Sequence, residues 1–478
     1  MQQVGDTKND ATAGVVAGGF VVLASAEDRM VSERRWDRAI RAVAGDAQYR
    51  VTDAPSTTWS MAACFTRRNG SAVPIVADPE TGSWLAIAGT WFHNSGTKRP
   101  DYILQRYLQL GPESLALEMD GFFGIIVADG RAQQVVAITD VVGSLHMYYR
   151  RWPAAVALST SSLFLASLEP VTLDAVGCQE FIQTGVIYED RTFYNEVRKL
   201  PPATISVFAN GGLKSQRRYW RPSDLVPESL RAEEATDRIW EQLGSAVRRV
   251  SREFSSIACD LTGGYDSRVI TAALLAHNKA FTTVVSGVAD SGDVSISSKL
   301  SAKLGVAHLH YPPTVGRVAF DNLEPLIELT DGECDLVAYY DVARIHSDLS
   351  GRFDISLNGS FGEVARGYWW ELLCPHTGAR RKIDSEKLAI RRYAATSCGE
   401  LFRHSCRIDL ARHIREVIER TIIGLEHHPN TFQMDTVYLD MRMQRWQGRL
   451  ASSTNRIWPC LSPFIFRPVL ETMLQSCS

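Results

Sequence analysis

The stretch SIACDLTGGYDSRVITAALLA (256–276) sets two glycines, an acid, a serine and an arginine between a short apolar run and an Ala/Leu-rich segment. The pattern reads as a strand over 257–261, a turn over 262–266 and a helix from Ser267 onward. Gly263 and Gly264 lack the Cβ atoms that would obstruct a tight turn. Their N–H groups, together with the N-terminus of the following helix, suit an anion such as a phosphate. Asp266 repels a phosphate but suits Mg²⁺, which bridges phosphate oxygens. Neither GxxxxGK[ST] nor GxGxxG occurs here. Taken alone, the glycine pair leaves a purely structural turn open as the alternative.

A second stretch, ISLNGSFGEVARGYWW (355–370), repeats the design: a strand, a Gly-rich turn, an acid and an aromatic helix start. Asn358, Gly359 and Ser360 offer hydrogen-bond donors, and Glu363 offers a second metal contact. Two such loops in one domain suit a nucleotide with its pyrophosphate held between them. In a parallel sheet, ligands gather beyond the carboxyl ends of the strands, where both loops are expected.

The elements around these loops divide the chain in two. Up to about residue 205, short apolar or alternating runs punctuated by Gly, Asp and Ser predict packed strands with few helices: 84–92, 121–130, 133–140, 146–150 and 154–160. Asn210-Gly211-Gly212 marks a hairpin turn. From RPSDLVPESL onward the texture changes, and Ile239, Leu243, Ala246 and Val250 recur at helical spacing. Strand–helix alternation then predicts a parallel α/β sheet, with 281–287 a strand and 295–305 a helix. Residues 380–427 read as largely helical. The resulting division is one domain over 1–210 and another over 226–478.

With 478 residues, 45% hydrophobic and 22% charged, the chain is ordinary for a globular protein of two or three domains. Its net charge of -3 excludes non-specific nucleic-acid affinity as a driving property. Nine cysteines without a CxxC predict reduced thiols, a cytoplasmic setting and no structural metal. The apolar run 13–26 is short for a membrane span and reads as a buried first strand rather than a signal-peptide core.

LTGGYDS resembles the SGGxDS pyrophosphate loop of ATP pyrophosphatases, and more narrowly that of the asparagine synthetase and β-lactam synthetase family. Further segments resemble the family in the same order: DGFFGIIVAD, TDVVGSLHMYY, LSTSSLFLASL, VRKLPPA and LSPFIFRPVLE. The resemblance implies an α+β amidotransferase-like sandwich of the Ntn type, followed by an α/β ATP-pyrophosphatase domain with a parallel sheet. It implies ATP and Mg²⁺ as cofactors, adenylation of a carboxylate, release of pyrophosphate and attack by an amine. By this likeness, Leu261, Thr262, Gly263, Gly264, Asp266, Ser267, Ser286, Gly287, Asn358 and Gly359 bind the nucleotide. Asp266 and Glu363 hold the metal. Ser360, Glu363, Arg268 and Arg445 serve the reaction, and Asp293 resembles a family acid or else caps a helix.

Three departures shape the expectation. Asparagine synthetases begin Met-Cys-Gly-Ile, whereas this chain begins MQQVG and its first cysteine is Cys64. AGTWFHN (88–94) keeps only Gly89 and Asn94 of the glutamine-site pattern. Glutamine hydrolysis is therefore expected to fail, as in β-lactam synthetases and lasso-peptide cyclases. Ser360 stands where the former have a catalytic tyrosine. Tyr339, Tyr340, Tyr368, Glu386 and Glu400 are the spare candidates, each equally readable as a packed ring or a solvated charge. The family's lysine loop beyond PFLD has no counterpart after Pro463, so Arg442, Arg445, Arg449, Arg456 and Arg268 are the cations left to meet phosphate, or else form a salt-bridged face. The expected partner is a small-molecule or peptide carboxylate bearing an amine, with a homodimer or a pathway partner protein as further possibilities and neither nucleic acid nor membrane involved. An ammonia-using ligase and a non-catalytic partner protein are the alternatives.

Overall fold

The computed structural model describes residues 18–26, 33–34, 36–37, 51–53, 57, 59–65, 75–228, 230–314, 323–395 and 398–476. The MQQVG start, residues 13–17 of the apolar run and Cys477 lie outside them.

Among the described residues, twelve strands build the first half: β1 (Gly19–Ser25), β2 (Val51–Asp53), β3 (Ser60–Phe65), β4 (Ile75–Asp78), β5 (Ser83–His93), β6 (Met119–Asp129), β7 (Gln134–Thr139), β8 (Tyr148–Trp152), β9 (Ala155–Ser159), β10 (Val197–Lys199), β11 (Thr204–Ala209) and β12 (Gly212–Arg218). They form two antiparallel six-stranded sheets, ordered β10-β8-β9-β1-β3-β2 and β12-β11-β7-β6-β5-β4. Phe20 and Val22 of β1 meet Trp84, Ala86 and Ala88 of β5 and Ile126 and Ala128 of β6 in the core between them.

The outer faces are apolar too. Leu85, Ile87, Ile125 and Val127 pack under helix α1 (Pro100–Glu118), which buries Ile103, Leu104, Tyr107, Leu115 and Ala116. On the other sheet, Val21 and Leu23 pack under α2 (Ser162–Ser167). Strands covered on both faces lose the apolar/polar alternation, which is why β5 and β6 are continuous hydrophobic runs. The nineteen-residue α1 stands where sequence periodicity predicts few helices; Gly111 (φ 81°) and Pro112 break its turn midway and obscure the 3.6-residue repeat. The hairpin expected at Asn210-Gly211 is present, with both residues at positive φ (50° and 75°), the twist that joins β11 to β12 in two residues.

The second half carries a five-stranded parallel sheet, ordered β15-β14-β13-β16-β17. Its strands are β13 (Ile257–Asp260), β14 (Thr282–Ser286), β15 (Ala307–Tyr311), β16 (Ile355–Leu357) and β17 (Cys460–Leu461). Ahead of it runs the helix α3 (Ala175–Thr184) and then α4 (Ala232–Glu253), whose Leu243, Ala246, Val247 and Val250 are buried as their spacing demands. Crossover helices α5 (Tyr265–Ala276) and α6 (Gly292–Leu304) link the parallel strands. Residues 380–427 are less helical than expected: Ser385–Leu388 continues as a π-turn to Tyr393, and the next helix is Leu410–Thr421.

The two halves share one core, in which Phe92, Phe122, Val142, Tyr188 and Trp220 join Leu243, Phe432, Phe464 and Leu470. A buried ion cluster reinforces the joint. The Asp331 carboxylate accepts from Arg449 Nη1 (2.8 Å), Arg456 Nη2 (2.9 Å), Ser161 Oγ (2.5 Å) and the Ser162 N–H (3.3 Å). Arg456 also donates to the carbonyls of Thr160 (2.6 Å) and Leu329 (2.8 Å). Removing the carboxylate strands two buried guanidinium groups, which costs about 3–5 kcal/mol. Asp331→Ala is therefore expected to lower unfolding free energy in denaturant titrations by that amount; a loss below ~1 kcal/mol would contradict the role given to the cluster.

β13 ends in Asp260, whose carboxyl burial pushes up to about 7. The folded chain keeps a proton there that the unfolded chain has released above pH ~4. Stability from this group is thus full below the unfolded pKa and declines as pH rises through about 7. Asp260→Asn should raise the melting temperature relative to wild type at pH 8 and leave it level at pH 4. Equal effects at both pH values would show that Asp260 titrates normally.

Candidate functional site

Strands β13 and β16 are parallel neighbours, so the loops that follow them emerge side by side at the carboxyl end of the sheet. The loop after β13 turns through Thr262, Gly263 and Gly264 into α5, which begins at Tyr265, two residues earlier than the sequence suggests. Leu261 extends the strand by donating its N–H to the Val284 carbonyl (2.9 Å). The loop after β16 carries Asn358, Gly359 and Ser360 into a 3₁₀ turn, Gly362–Arg366. Trp370–Leu373 is a second 3₁₀ turn, so the expected aromatic α-helix start is two short turns instead.

The loops interlock through glycine. A Cβ on Gly359 would lie 2.6 Å from the Ser267 nitrogen, and one on Gly362 would lie 2.9 Å from Asp266 Cγ. Only bare backbone fits against the first turn of α5. This presses the second loop onto Asp266 and brings Glu363 beside it. Gly263 instead lies close to α6: a Cβ there would come 3.0 Å from Ile296 Cδ1 and 3.1 Å from Asp293 Oδ1.

The hydrogen bonding of the first loop is satisfied internally. Thr262 N–H donates to Ser267 Oγ (3.0 Å), Gly264 N–H to Thr262 Oγ1 (3.0 Å) and Gly263 N–H to Asp293 Oδ1 (2.8 Å). Asp293 therefore binds the glycine loop directly, while Ser291 caps α6. Asp266 receives a two-pronged guanidinium from Arg366, Nε at 3.1 Å and Nη2 at 2.8 Å. Arg366 escapes the sequence reading, although it stands three residues after Glu363 in the loop already singled out. Arg268 turns back on its own helix, with Nε donating to the Gly264 carbonyl (3.0 Å) and its guanidinium over the Tyr265 ring.

Glu363 is half-buried, and its Oε2 is a buried atom without a hydrogen-bond partner. Burial raises its pKa, and the charge of Asp266 adds to the rise. The Tyr438 hydroxyl interacts with the same carboxyl. Tyr438 belongs to an aromatic group with Tyr368 and Trp369, at centroid distances of 5.1 and 5.3 Å. Nearby, Trp370 Nε1 donates to the buried Asp435 (2.9 Å). A cation would meet both an orphaned carboxylate oxygen and a second carboxylate here. Among the described residues, no group of three metal-ligating side chains exists, so such a cation would draw its remaining ligands from water or phosphate.

Of the other singled-out residues, Gly287 follows β14 at φ 144°, with its carbonyl held by His310 Nε2 (2.7 Å) and exposed Ser286 before it. Asn358 Oδ1 accepts the Ser360 N–H (3.1 Å), and the Ser360 carbonyl accepts from Ser462 Oγ (2.5 Å). The structure does not bring the four downstream arginines to the loops. Arg449 and Arg456 are spent on Asp331, Arg442 lies over the Trp446 ring, and Arg445 lines a separate cavity. Tyr339 is buried with its hydroxyl at Thr454 (3.2 Å), Tyr340 packs on the Leu326–Leu329 cluster, and Glu386 and Glu400 are exposed. Cys64 is fully buried, and burial pushes its thiol far up.

Two family descriptions match the chain: a glutamine amidotransferase domain over residues 90–220 and asparagine synthase over residues 238–346. No curated protein matches. Among solved structures, the glutamine phosphoribosylpyrophosphate amidotransferase of B. subtilis, complexed with ADP and GMP, is 8% identical over 62% of this chain and 60% of its own length, with a TM-score of 0.26. An allosteric regulatory enzyme of purine biosynthesis is 9% identical over 65% of this chain and 78% of its own, with a TM-score of 0.28. Likeness that slight carries no weight for fold or function. Sheet topology and the two family matches together give the chain the general architecture of asparagine-synthetase and glutamine-amidotransferase ligases, an antiparallel sandwich followed by a parallel-sheet ATP-pyrophosphatase unit.

Proposed function

We propose that the chain is an ATP-dependent amide ligase that adenylates a carboxylate and joins it to an amine without hydrolysing glutamine. The observation that carries this reading is the interlock of the two loops, which sets Asp266, inside the asparagine synthase match, beside Glu363, beyond the end of that match, at the carboxyl end of a parallel sheet. ATP is the co-substrate. A carboxylate oxygen of the substrate attacks the α-phosphorus, and the bond to pyrophosphate breaks. The amine nitrogen then attacks the acyl carbon, AMP leaves, and the amine gives up a proton.

Each part has an assigned task in this proposal. Asp266 and Glu363 would hold Mg²⁺, which when bound would offset phosphate charge; Arg366 holds the Asp266 carboxylate in place until then. The Thr262–Gly264 loop and the N-terminus of α5 receive pyrophosphate once Asp293 releases the Gly263 N–H. Leu261, Ser267, Asn358 and Gly359 shape the loops, Ser286 and Gly287 border the adenine side, and Ser360 faces the acyl group. Tyr438, whose hydroxyl meets the Glu363 carboxyl, closes that side of the site. Arg268 stands beside the loop as a phosphate contact. Cys64, sealed in the sandwich core, is not placed to attack glutamine. The remaining specificity, for a lactam, macrolactam or intermolecular amide, rests on the substrate.

A second reading, a non-catalytic partner protein, is favoured by the internally satisfied glycine loop and the Arg366–Asp266 pair. Pyrophosphate release from ATP and Mg²⁺ across amino acids, diamino acids and peptide acids, with and without ammonium, separates the readings. The ligase predicts release with one acid class, and Asp266→Ala is expected to cut it at least about 100-fold. Arg366→Gln should leave the nucleotide bound while changing the Mg²⁺ concentration for half-maximal release. No release with any acid, together with no ATP binding by calorimetry, decides for the partner protein.

A further inference from the structure

A cavity of about 700 Å³ lies apart from the glycine loops, between the sandwich and the C-terminal helices. Its walls come from residues 188–190, 199–204 and 216–223 on one side and from 417–425 and 436–445 on the other. Its volume suits an organic small molecule. Six Lys or Arg and three Asp or Glu line it, so its field is positive.

Two of those cations are buried at its wall: Lys199 is 3% exposed and Arg445 9%. Burying an ion costs several kcal/mol unless a counter-charge is supplied. Among the described residues, neither stands in an ion pair. The nearest polar partner of Lys199 Nζ is His146 Nε2 at 3.2 Å. That nitrogen also lies 2.9 Å from the Gln444 carbonyl, so a neutral ring edge, not a carboxylate, stands against the ammonium. Burial and the neighbouring Arg445 push the Lys199 ammonium well down, against the opposing charge of Glu333.

The surrounding acids are already committed. Glu333 accepts from Ser162 Oγ (2.8 Å) and the Tyr148 hydroxyl (2.9 Å), and Asp331 holds Arg449 and Arg456. Glu180 binds His413 Nε2 (2.6 Å), and Asp440 lies 3.6 Å from Arg218. Arg445 and Arg449 share one stretch of helix, yet only the second has its carboxylate. Pro201, Pro202, Val417, Leu425 and Met441 add an apolar wall that a bare inorganic ion would leave unused.

We propose that this cavity is a second ligand site, separate from the glycine loops, for a small organic anion with an apolar body and at least two carboxylate or phosphate groups, read by Lys199 and Arg445. The proposal stands independently of the ligase reading, because binding requires no turnover.

The test is calorimetric titration of the full chain with citrate, glutarate and inorganic phosphate, without nucleotide or metal, backed by thermal melts. Saturable binding of citrate is expected, with glutarate and phosphate showing which acid group the cations prefer. Lys199→Met and Arg445→Gln should each weaken citrate at least about tenfold. Asp266→Ala should leave it unchanged. Because the buried variants risk misfolding, Arg221→Ser at the exposed mouth supplies a second measure and should weaken binding several-fold at low salt. Absence of saturable binding by all three probes at millimolar concentration overturns the proposal. So does citrate affinity that survives in both buried variants, or in Arg221→Ser if those do not fold. Tighter citrate binding in Asp266→Ala, which removes a repelling carboxylate and frees Arg366, would place the anion at the glycine loops instead.

Discussion

Asp331 is a fully buried carboxylate that binds two arginines from one helix and two serines from the sandwich. A lone buried charge is prohibitive, and so is a lone buried guanidinium. Each side of the joint therefore requires the other, and the requirement is directional in a way that apolar packing is not. Once the helix Gly448–Ile457 is locked by it, the strand β17 that follows is set against β16, and Asn358 is fixed through its N–H to the Leu461 carbonyl (3.1 Å). The geometry of the second glycine loop is thus tied to an ion cluster in another part of the molecule.

The helical stretch over residues 430–447 separates two chemistries. Tyr438 and Asp435 face the glycine loops, through Glu363 and Trp370. Thr436, Asp440, Gln444 and Arg445 line the cavity on the other side. From Tyr438 to Gln447 the winding is π-helical. The wider turn redistributes side chains around the axis, and such windings recur at functional sites. One segment therefore serves as a shared wall between the cavity and the loops.

Local signals were legible in the sequence, and distant pairings were not. The glycine loop, the hairpin at Asn210-Gly211 and the buried face of α4 each rest on neighbouring residues, and each is found where its pattern puts it. The partner of Asp266 comes from exactly one hundred positions away, and no spacing rule pairs it with Arg366. The four downstream arginines look alike as a string; burial alone divides them into ion-cluster members, a ring-stacked cation and a cavity wall. α1 was hidden because its own Gly111 and Pro112 interrupt the repeat that reveals a helix. The cavity could not be read at all, since segments more than two hundred residues apart enclose it.

The order of synthesis gives the Asp331 cluster a further meaning. Arg449 follows Asp331 by 118 residues. At roughly 5–20 residues per second, a growing chain waits about 6–24 s between making the acid and making its first cation. Throughout that interval the carboxylate must stay hydrated, and the surface that will bury it must stay open. The sandwich can assemble early from its own strands, but the buried joint with the second half waits for Arg449 and Arg456. The ion cluster therefore has a sequence in time as well as a geometry: the acid and the serines come first, and the joint they share with the two arginines is complete only when the helix Gly448–Ile457 has been made.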